Sequence, residues 1–343
     1  MFRHIITLLL FCCISLTALA DEIVLNSQHP ERHVVVKGDT LWGIASQFLK
    51  DPWQWPKLWQ LNRQEIKNPH LIYPGNVVWL DQSSGSPQLK LLQQELTLQA
   101  GVIEESLENT AIPSIALHAI APFLNLALIL EKDPLSQAAS ILAAQDDRVI
   151  LSTGTRIYLD KMGAEHGPNW HIYRATGSLI DPDSKEILGQ EARYLGDAVV
   201  SLYGAPASAE ISMAKEEIFV GDKLLAHKPE PIPSHFVPHA PDSAVTGRII
   251  SMYSGVAEAG PLSVVAINRG AHAGLEPGHV LAIHRAGRSI KNPAADKTAP
   301  AIQLPDERIG LLMVFRVFER VSYALIMQAS EPVNKLDRVL SPQ

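Results

Sequence analysis

Five of the six tryptophans of this chain, Trp42, Trp53, Trp55, Trp59 and Trp79, fall in one short stretch. So many large rings so close together need a common core to bury them. The stretch opens with His33-Val-Val-Val-Lys37, a β-branched run suited to a strand. The chain then turns at Gly38-Asp39, and Thr40 is placed to cap a helix whose apolar residues Leu41, Trp42, Ile44, Ala45, Phe48 and Leu49 share one face. A second helix is expected from about Pro56, where a fixed φ suits the first turn, carrying Leu58, Trp59 and Leu61 toward Asn62. The loop from Asn68 to Gly75 leads into a second short strand, Val77-Val-Trp-Leu80. The expected order is strand, helix, helix, strand.

Val35-x-x-Gly38-Asp39-Thr40-Leu41-Trp42-x-Ile44-Ala45, Asn62, and Ile72-Tyr73-Pro74-Gly75-x-x-x-x-Leu80 stand in register with one known pattern. On these residues the segment 30–82 resembles the LysM domain. The resemblance implies binding of N-acetylglucosamine units of peptidoglycan or chitin, in a groove between the loop after the first strand and the loop before the second. Carried over by residue, one wall is Gly38, Asp39, Thr40, Leu41 and Trp42, and the other is Asn68, Pro69, His70, Leu71, Ile72 and Tyr73. An acetamido sugar offers a methyl, apolar ring faces, an amide and hydroxyls, so its site needs apolar surfaces beside uncharged backbone donors and acceptors. Packing competes with binding for these residues. Trp42, Trp59 and Trp79 sit where a small module needs core, and Asp39 and Thr40 also suit turn and cap roles. Trp53 and Trp55 either extend the groove or brace the second helix.

The chain begins with Arg3-His4, an apolar run from Ile5 to Leu16, and Ala18-Leu19-Ala20, the pattern of a secretory signal peptide over 1–20. Both cysteines, Cys12 and Cys13, lie within it, so a mature, periplasmic chain is expected to have no disulfide. The formal charge of −7 becomes one unit more negative when Arg3 leaves with the leader, which argues against a nucleic-acid partner. Ala111 to Leu130 is apolar enough to raise a membrane span, but it contains Pro113, Ser114, His118, Pro122 and Asn125. It reads as core strand and short helix, leaving no span after leader removal.

The fold class expected is α+β multidomain, with a small βααβ module followed by two β-rich barrel- or sandwich-like domains. After the module, 83–111 reads as linker, with a flexible joint at Asp81-Gln-Ser-Ser-Gly-Ser-Pro87 and a stretch from Leu89 to Glu108 that suits helix or partly extended chain. A β-rich middle domain spans 112–227, with a turn at Asp181-Pro-Asp-Ser184 between two strands. A Pro-rich linker covers 228–242, and a β-rich C-terminal domain covers 243–343. The two β-rich parts show a weak internal repeat. Ile172-Tyr-Arg-Ala-Thr-Gly177 matches Ile283-His-Arg-Ala-Gly287, Leu188-Gly189 matches Ile309-Gly310, and Gly221-Asp-Lys-Leu-Leu225 matches Leu336-Asp-Arg-Val-Leu340. In the second copy the equivalent hairpin is lengthened by Arg288 to Asp306. Gly247-Arg-Ile-Ile, Gly270-Ala-His-Ala-Gly274-Leu-Glu-Pro-Gly278 and Arg308-Ile-Gly-Leu-Leu-Met-Val-Phe-Arg316 are similar to the C-terminal domain of the flagellar assembly protein family FlgT. Leader, LysM module and such a domain together resemble the type IV pilus secretin-associated family TsaP. That resemblance implies a periplasmic partner, the outer-membrane pilus secretin, tied to the cell wall.

A catalytic role meets obstacles. Thiol chemistry needs a cysteine, and the expected mature chain has none. A zinc centre needs ligand spacing, but Pro238 interrupts His235 and His239 and no Glu follows His235, and the pairs His166 with His171 and His279 with His284 are read in strands or turns without a third ligand, as surface or core histidines. Glu104-Glu105-Ser106 resembles lytic transglycosylases only in that short run. The expectation is a binding protein without catalytic residue, cofactor or metal. Its alternative role is adaptor or activator of a cell-wall hydrolase or another envelope complex.

Overall fold

The computed structural model describes residues 23–60, 72–81, 88–92, 111–125, 128–130, 135–145, 148–165, 167–226, 236–253, 258–290 and 302–342. The expected leader, Asn68 to Leu71 and most of both expected linkers lie outside them. The chain divides into two compact units, Met1–Ile112 and Pro113–Gln343.

In the first unit, Thr40 is extended and its Oγ1 accepts from the Gly43 N–H at 3.0 Å, starting α1 (Leu41–Phe48). This bond satisfies one of the donors that a helix start leaves open. The helix buries the expected face, Leu41, Trp42, Ile44, Ala45 and Phe48. A 3-10 turn over Pro52–Gln54 leads into α2 (Trp55–Gln60). Trp53 and Trp55 are both buried, and the Lys57 ammonium lies 5.3 Å from the Trp53 ring centre. These two rings therefore brace the helix and do not extend a groove.

The strands β1 (Arg32–Val34), β2 (Val77–Asp81) and β3 (Gln88–Leu92) form an antiparallel sheet in that order. β3 falls inside the stretch read as linker. Its Leu89 is fully buried, and Ile112, whose N–H bonds to the Ile72 carbonyl at 2.8 Å, packs into the same core as Val35, Phe48, Trp55 and Val78. The module thus draws core residues from beyond 82.

The second unit starts with α3 (Leu117–Asn125) and β4 (Leu128–Leu130), the short helix and strand expected for that apolar run. Among the described residues no helix is long and apolar enough to cross a membrane. Six strands follow: β5 (Ala139–Ala144), β6 (Arg156–Leu159), β7 (Asn169–Ile180), β8 (Ile187–Leu202), β9 (Ala207–Ala214) and β10 (Lys223–Ala226). Their sheet order is β4-β8-β7-β10-β5-β6-β9, and β9 also pairs with β8, so the six close into a ring with β4 outside it. The remaining strands are β11 (Thr246–Met252), β12 (Glu258–Ala259), β13 (Val264–Ile267), β14 (Val280–Arg285), β15 (Ser289–Ile290), β16 (Ile302–Gln303), β17 (Glu307–Val317), β18 (Ser322–Ala329), β19 (Val333–Asn334) and β20 (Arg338–Leu340). A closed barrel runs β11-β13-β18-β17-β14-β20.

The two rings have one topology. Matching β5, β6, β7, β8, β9 and β10 to β11, β13, β14, β17, β18 and β20 reproduces every neighbour. Details repeat as well. Ile141 N–H and C=O bond to Asp222 C=O and Gly221 N–H, as Ile249 bonds to Asp337 and Leu336. Asp222 accepts from Phe219 N–H and from the Arg174 guanidinium, and Asp337 accepts from Asn334 N–H and from Arg285. One detail of the sequence match is corrected. Ile172 faces Gly196 and Ile283 faces Gly310, so the partner of Gly310 is Gly196, not Gly189. Both copies therefore have a long hairpin at this place, which in the first copy is continuous strand with register shifts between Ala175 and Gly177 and between Leu179 and Ile180, and so escapes notice as an extension.

The first copy's hairpin reaches the second barrel. Asp181, in the expected turn, accepts from Asp183 and Ser184 N–H and from Asn268 Nδ2 at 2.9 Å. Burial pushes its pKa up, but those bonds and Arg269 outweigh burial and hold the carboxyl below its ordinary value. Arg248 pairs with Asp183 at 3.1 Å, and Arg320 pairs with Glu186 and donates to the Ile187 and Leu188 carbonyls. Phe123 of α3 adds an edge-on contact with Tyr253, its ring centre 4.3 Å away.

Candidate functional site

In the first unit the two loops expected to form a groove are joined at their bases by backbone. Val35 N–H donates to Asn76 C=O at 2.9 Å, and its C=O accepts from Gly75 N–H at 2.8 Å. Tyr73-Pro74-Gly75-Asn76 is a tight turn, with Asn76 N–H bonded to Tyr73 C=O at 3.1 Å and Gly75 at φ +95°. Proline at the second place and a positive-φ glycine at the third are what a type II turn asks for. Asn76 Oδ1 also accepts from Tyr73 N–H at 2.9 Å, so the turn is tied from both directions.

The facing loop is stiffened by Asp39. Its Oδ2 accepts from Val36 N–H at 2.9 Å and lies 2.8 Å from His33 Nε2. Asp39 and Thr40 thus carry the turn and cap roles. Leu41 and Trp42 point into the core, Leu41 being 0% and Trp42 4% exposed, so they support the loop from beneath and leave almost no surface for a ligand. Ile72 is likewise fully buried, whereas Tyr73 is half-buried and Gly38 is exposed. Val34 and Val36, which sequence reasoning passed over, leave about half their surface in solvent beside these loops (52% and 54%). Their place in an unbroken apolar run hid which of them face outward. The arrangement can offer apolar patches and loop backbone groups to an uncharged ligand.

Elsewhere, the fold gathers groups that lie apart in sequence. His239, Glu276 and His279 come together, with ligand-type atoms within 4.8 Å of one another. His239 Nδ1 donates to the Val237 carbonyl at 2.9 Å, the usual support of a metal-ligating imidazole. His279 Nδ1 instead accepts from Glu276 N–H at 3.0 Å, so its neutral ring keeps the proton on Nε2, where it acts as a donor. Burial, with His239 next, lowers the His279 pKa and keeps that ring neutral. The three residues form a clasp between the 237–239 and 276–280 segments and lack the donor set of a metal centre.

His171 Nδ1 lies 2.5 Å from Asp197 Oδ1, and Ser212 lines the same small cavity. In the sheet, however, β8 with Asp197 stands between β7 with His171 and β9 with Ser212. A nucleophile needs the histidine between itself and the carboxylate, so the order is wrong for that chemistry.

The LysM domain family model matches residues 33–81. "Uncharacterized protein YqbP" of Bacillus subtilis (strain 168) is 36% identical over 62 residues, which cover 16% of this chain and 28% of that protein. The chain therefore spans well under two thirds of that relative. The family match falls on the module whose loops are described above. LysM domains bind cell-wall carbohydrate, which points to an extracytoplasmic protein.

Proposed function

We propose that this chain binds the glycan strands of peptidoglycan through its LysM domain and anchors an outer-membrane type IV pilus secretin to the wall through the paired barrels. The observation that carries the first half is the pair of loops, 36–40 and 72–76, cross-bonded through Val35 and matched by the LysM family. Fixed loops meet a sugar at lower entropic cost than flexible ones. Tyr73 offers a half-buried ring beside backbone groups, suited to the apolar face and amide of N-acetylglucosamine. Gly38, Asp39 and Thr40 form the opposite wall in this reading, with Asn68, Pro69, His70 and Leu71 completing the site and Leu41, Trp42 and Ile72 supporting it from the core. The secretin partner, the TsaP-like and FlgT-like identities and the periplasmic location rest on the sequence resemblance. The rival reading makes the same barrels an adaptor or activator for a wall hydrolase.

The test is retention of the chain on washed sacculi and recovery of secretin with them. Tyr73→Ala should lower retention about tenfold, the loss of roughly 1.4 kcal/mol, with unchanged melting. Leu41→Ala is not a clean binding variant, because emptying a fully buried leucine site costs about 2–5 kcal/mol of stability. Equal retention of Tyr73→Ala and wild type would move the glycan site elsewhere, and secretin that stays on sacculi without the LysM unit would refute the anchoring role.

A further inference from the structure

A cavity of about 360 Å³ opens in the second unit where the long hairpin of the first barrel passes β11. Five consecutive residues of β7 line it, Thr176 to Ile180, and so do four consecutive residues around the end of β11, Ile250 to Tyr253. One face of a strand shows only alternate residues, but β7 shifts register between Ala175 and Gly177 and between Leu179 and Ile180, so the open edge is read from the sheet pairing. β10 begins at Lys223 opposite Tyr173, so from Arg174 onward β7 has only β8 as a neighbouring strand among the described residues. On β11, β20 pairs only as far as Arg248, and the Ile249 bonds to Leu336 and Asp337 are the last on that edge among the described residues. Lys335, just before this point, lines the cavity.

We propose that this slot takes an extended, acidic segment of a partner protein, which pairs with the open edge of β7 as an added strand. Strand addition draws affinity from main-chain bonds and specificity from the side chains at the slot. An added strand rises about 3.3 Å per residue, so the β7 edge suits a segment of about five residues. Charge selects its chemistry. Lys335 and Arg193 line the slot against one lining carboxylate, Glu191. Arg193 is itself paired with Glu216 at 3.7 Å, which leaves Lys335 as the cation that selects the segment. Glu191 accepts from Ser251 Oγ at 3.1 Å and from Tyr323 OH at 3.4 Å, and burial raises its pKa. β11 flanks the slot on its other side, which guards the edge against open-ended sheet growth.

The experiment uses the full chain and a fluorescein-labelled hexapeptide, Ser-Val-Glu-Val-Glu-Val, read by anisotropy and amide hydrogen exchange. Saturable binding is expected, with protection confined to Thr176–Ile180 and Ile250–Tyr253. A version with Lys for Glu should bind at least tenfold more weakly, and one N-methylated at alternate residues should not bind. Lys335→Glu, an exposed change that leaves the core intact, should weaken the acidic peptide at least tenfold. Absence of saturable binding, equal binding of the N-methylated peptide, an unchanged Lys335→Glu variant, or protection elsewhere would each overturn the proposal. The probe carries no sugar, so its outcome is independent of the glycan reading.

Discussion

The two barrels share strand order and an aspartate-arginine clasp, yet they treat the same hairpin differently. In the first, β7 and β8 run on as paired strand to Ile180 and Ile187, and the acidic tip with Asp181, Asp183 and Glu186 meets Asn268, Arg248, Arg269 and Arg320 of the second barrel. In the second, β14 and β17 part at Arg285 and Glu307, and the chain between them carries only the short pair β15 and β16 among the described residues. A further contrast lies at the clasp, where Gly221 at φ +96° corresponds to Leu336 at φ +77°. Closure of the ring depends on what is kept, and the hairpin is free to take on docking.

The largest effect expected concerns the glycines that let neighbouring strands approach. A Cβ at Gly196 would lie 2.1 Å from Met213 O, and one at Gly310 would lie 2.3 Å from Gln328 O. Both contacts are backbone, so Gly196→Ala and Gly310→Ala should each cost about 3 kcal/mol or more, at the top of the overpacking range, in urea melts. A large cost at one and none at the other would break the equivalence.

The clasps come next. Removing one partner of a buried pair costs about 3–5 kcal/mol, but the arginines here are about a third exposed and solvent screens them, so about 2 kcal/mol is expected. Asp222→Ala should cost more than Asp337→Ala, because Arg174 grips Asp222 with two nitrogens at 2.8 and 2.7 Å, whereas Arg285 reaches Asp337 at 3.2 Å. The reverse ranking would show that the second clasp is the main closure.

The smallest effect is a pH dependence at the contact between barrels. Burial raises the Glu191 pKa above 4.5, so between the unfolded and folded values the folded state holds the extra proton. Its contribution to stability is then present below about 4.5 and declines as pH rises through the folded value. Glu191→Gln should flatten that decline in thermal melts taken across the acid range, and an unchanged slope would remove Glu191 from the account.

The comparison also explains what could be read from sequence. The module was legible because its signals are local: Thr40 caps three residues ahead, and Tyr73 to Asn76 close a four-residue turn. The stretch holding β3 reads as helix or extended chain, because Gln88-Leu-Lys-Leu-Leu92 is short and runs into helix-forming residues, and its place in the module is set by pairing with β2, which local sequence does not record. The barrel repeat was visible at Arg174 and Arg285, but the register put Gly189 where Gly196 belongs, since strand pairing across a long hairpin leaves no local mark. At the candidate site, Asp39, Thr40, Leu41 and Trp42 proved to have turn, cap and core roles, which the same motif letters serve equally well. The cluster of His239 with His279 joins segments that sequence spacing could not pair.

The central claim is that wall binding belongs to the first unit. The most direct measurement is co-sedimentation with washed sacculi of two chains, one covering 23–112, which retains β3 and Ile112, and one covering 113–343. The first should pellet with sacculi and be released by soluble N-acetylglucosamine oligomers, while the second stays in the supernatant. Pelleting of the second chain with the first left in solution would contradict the account.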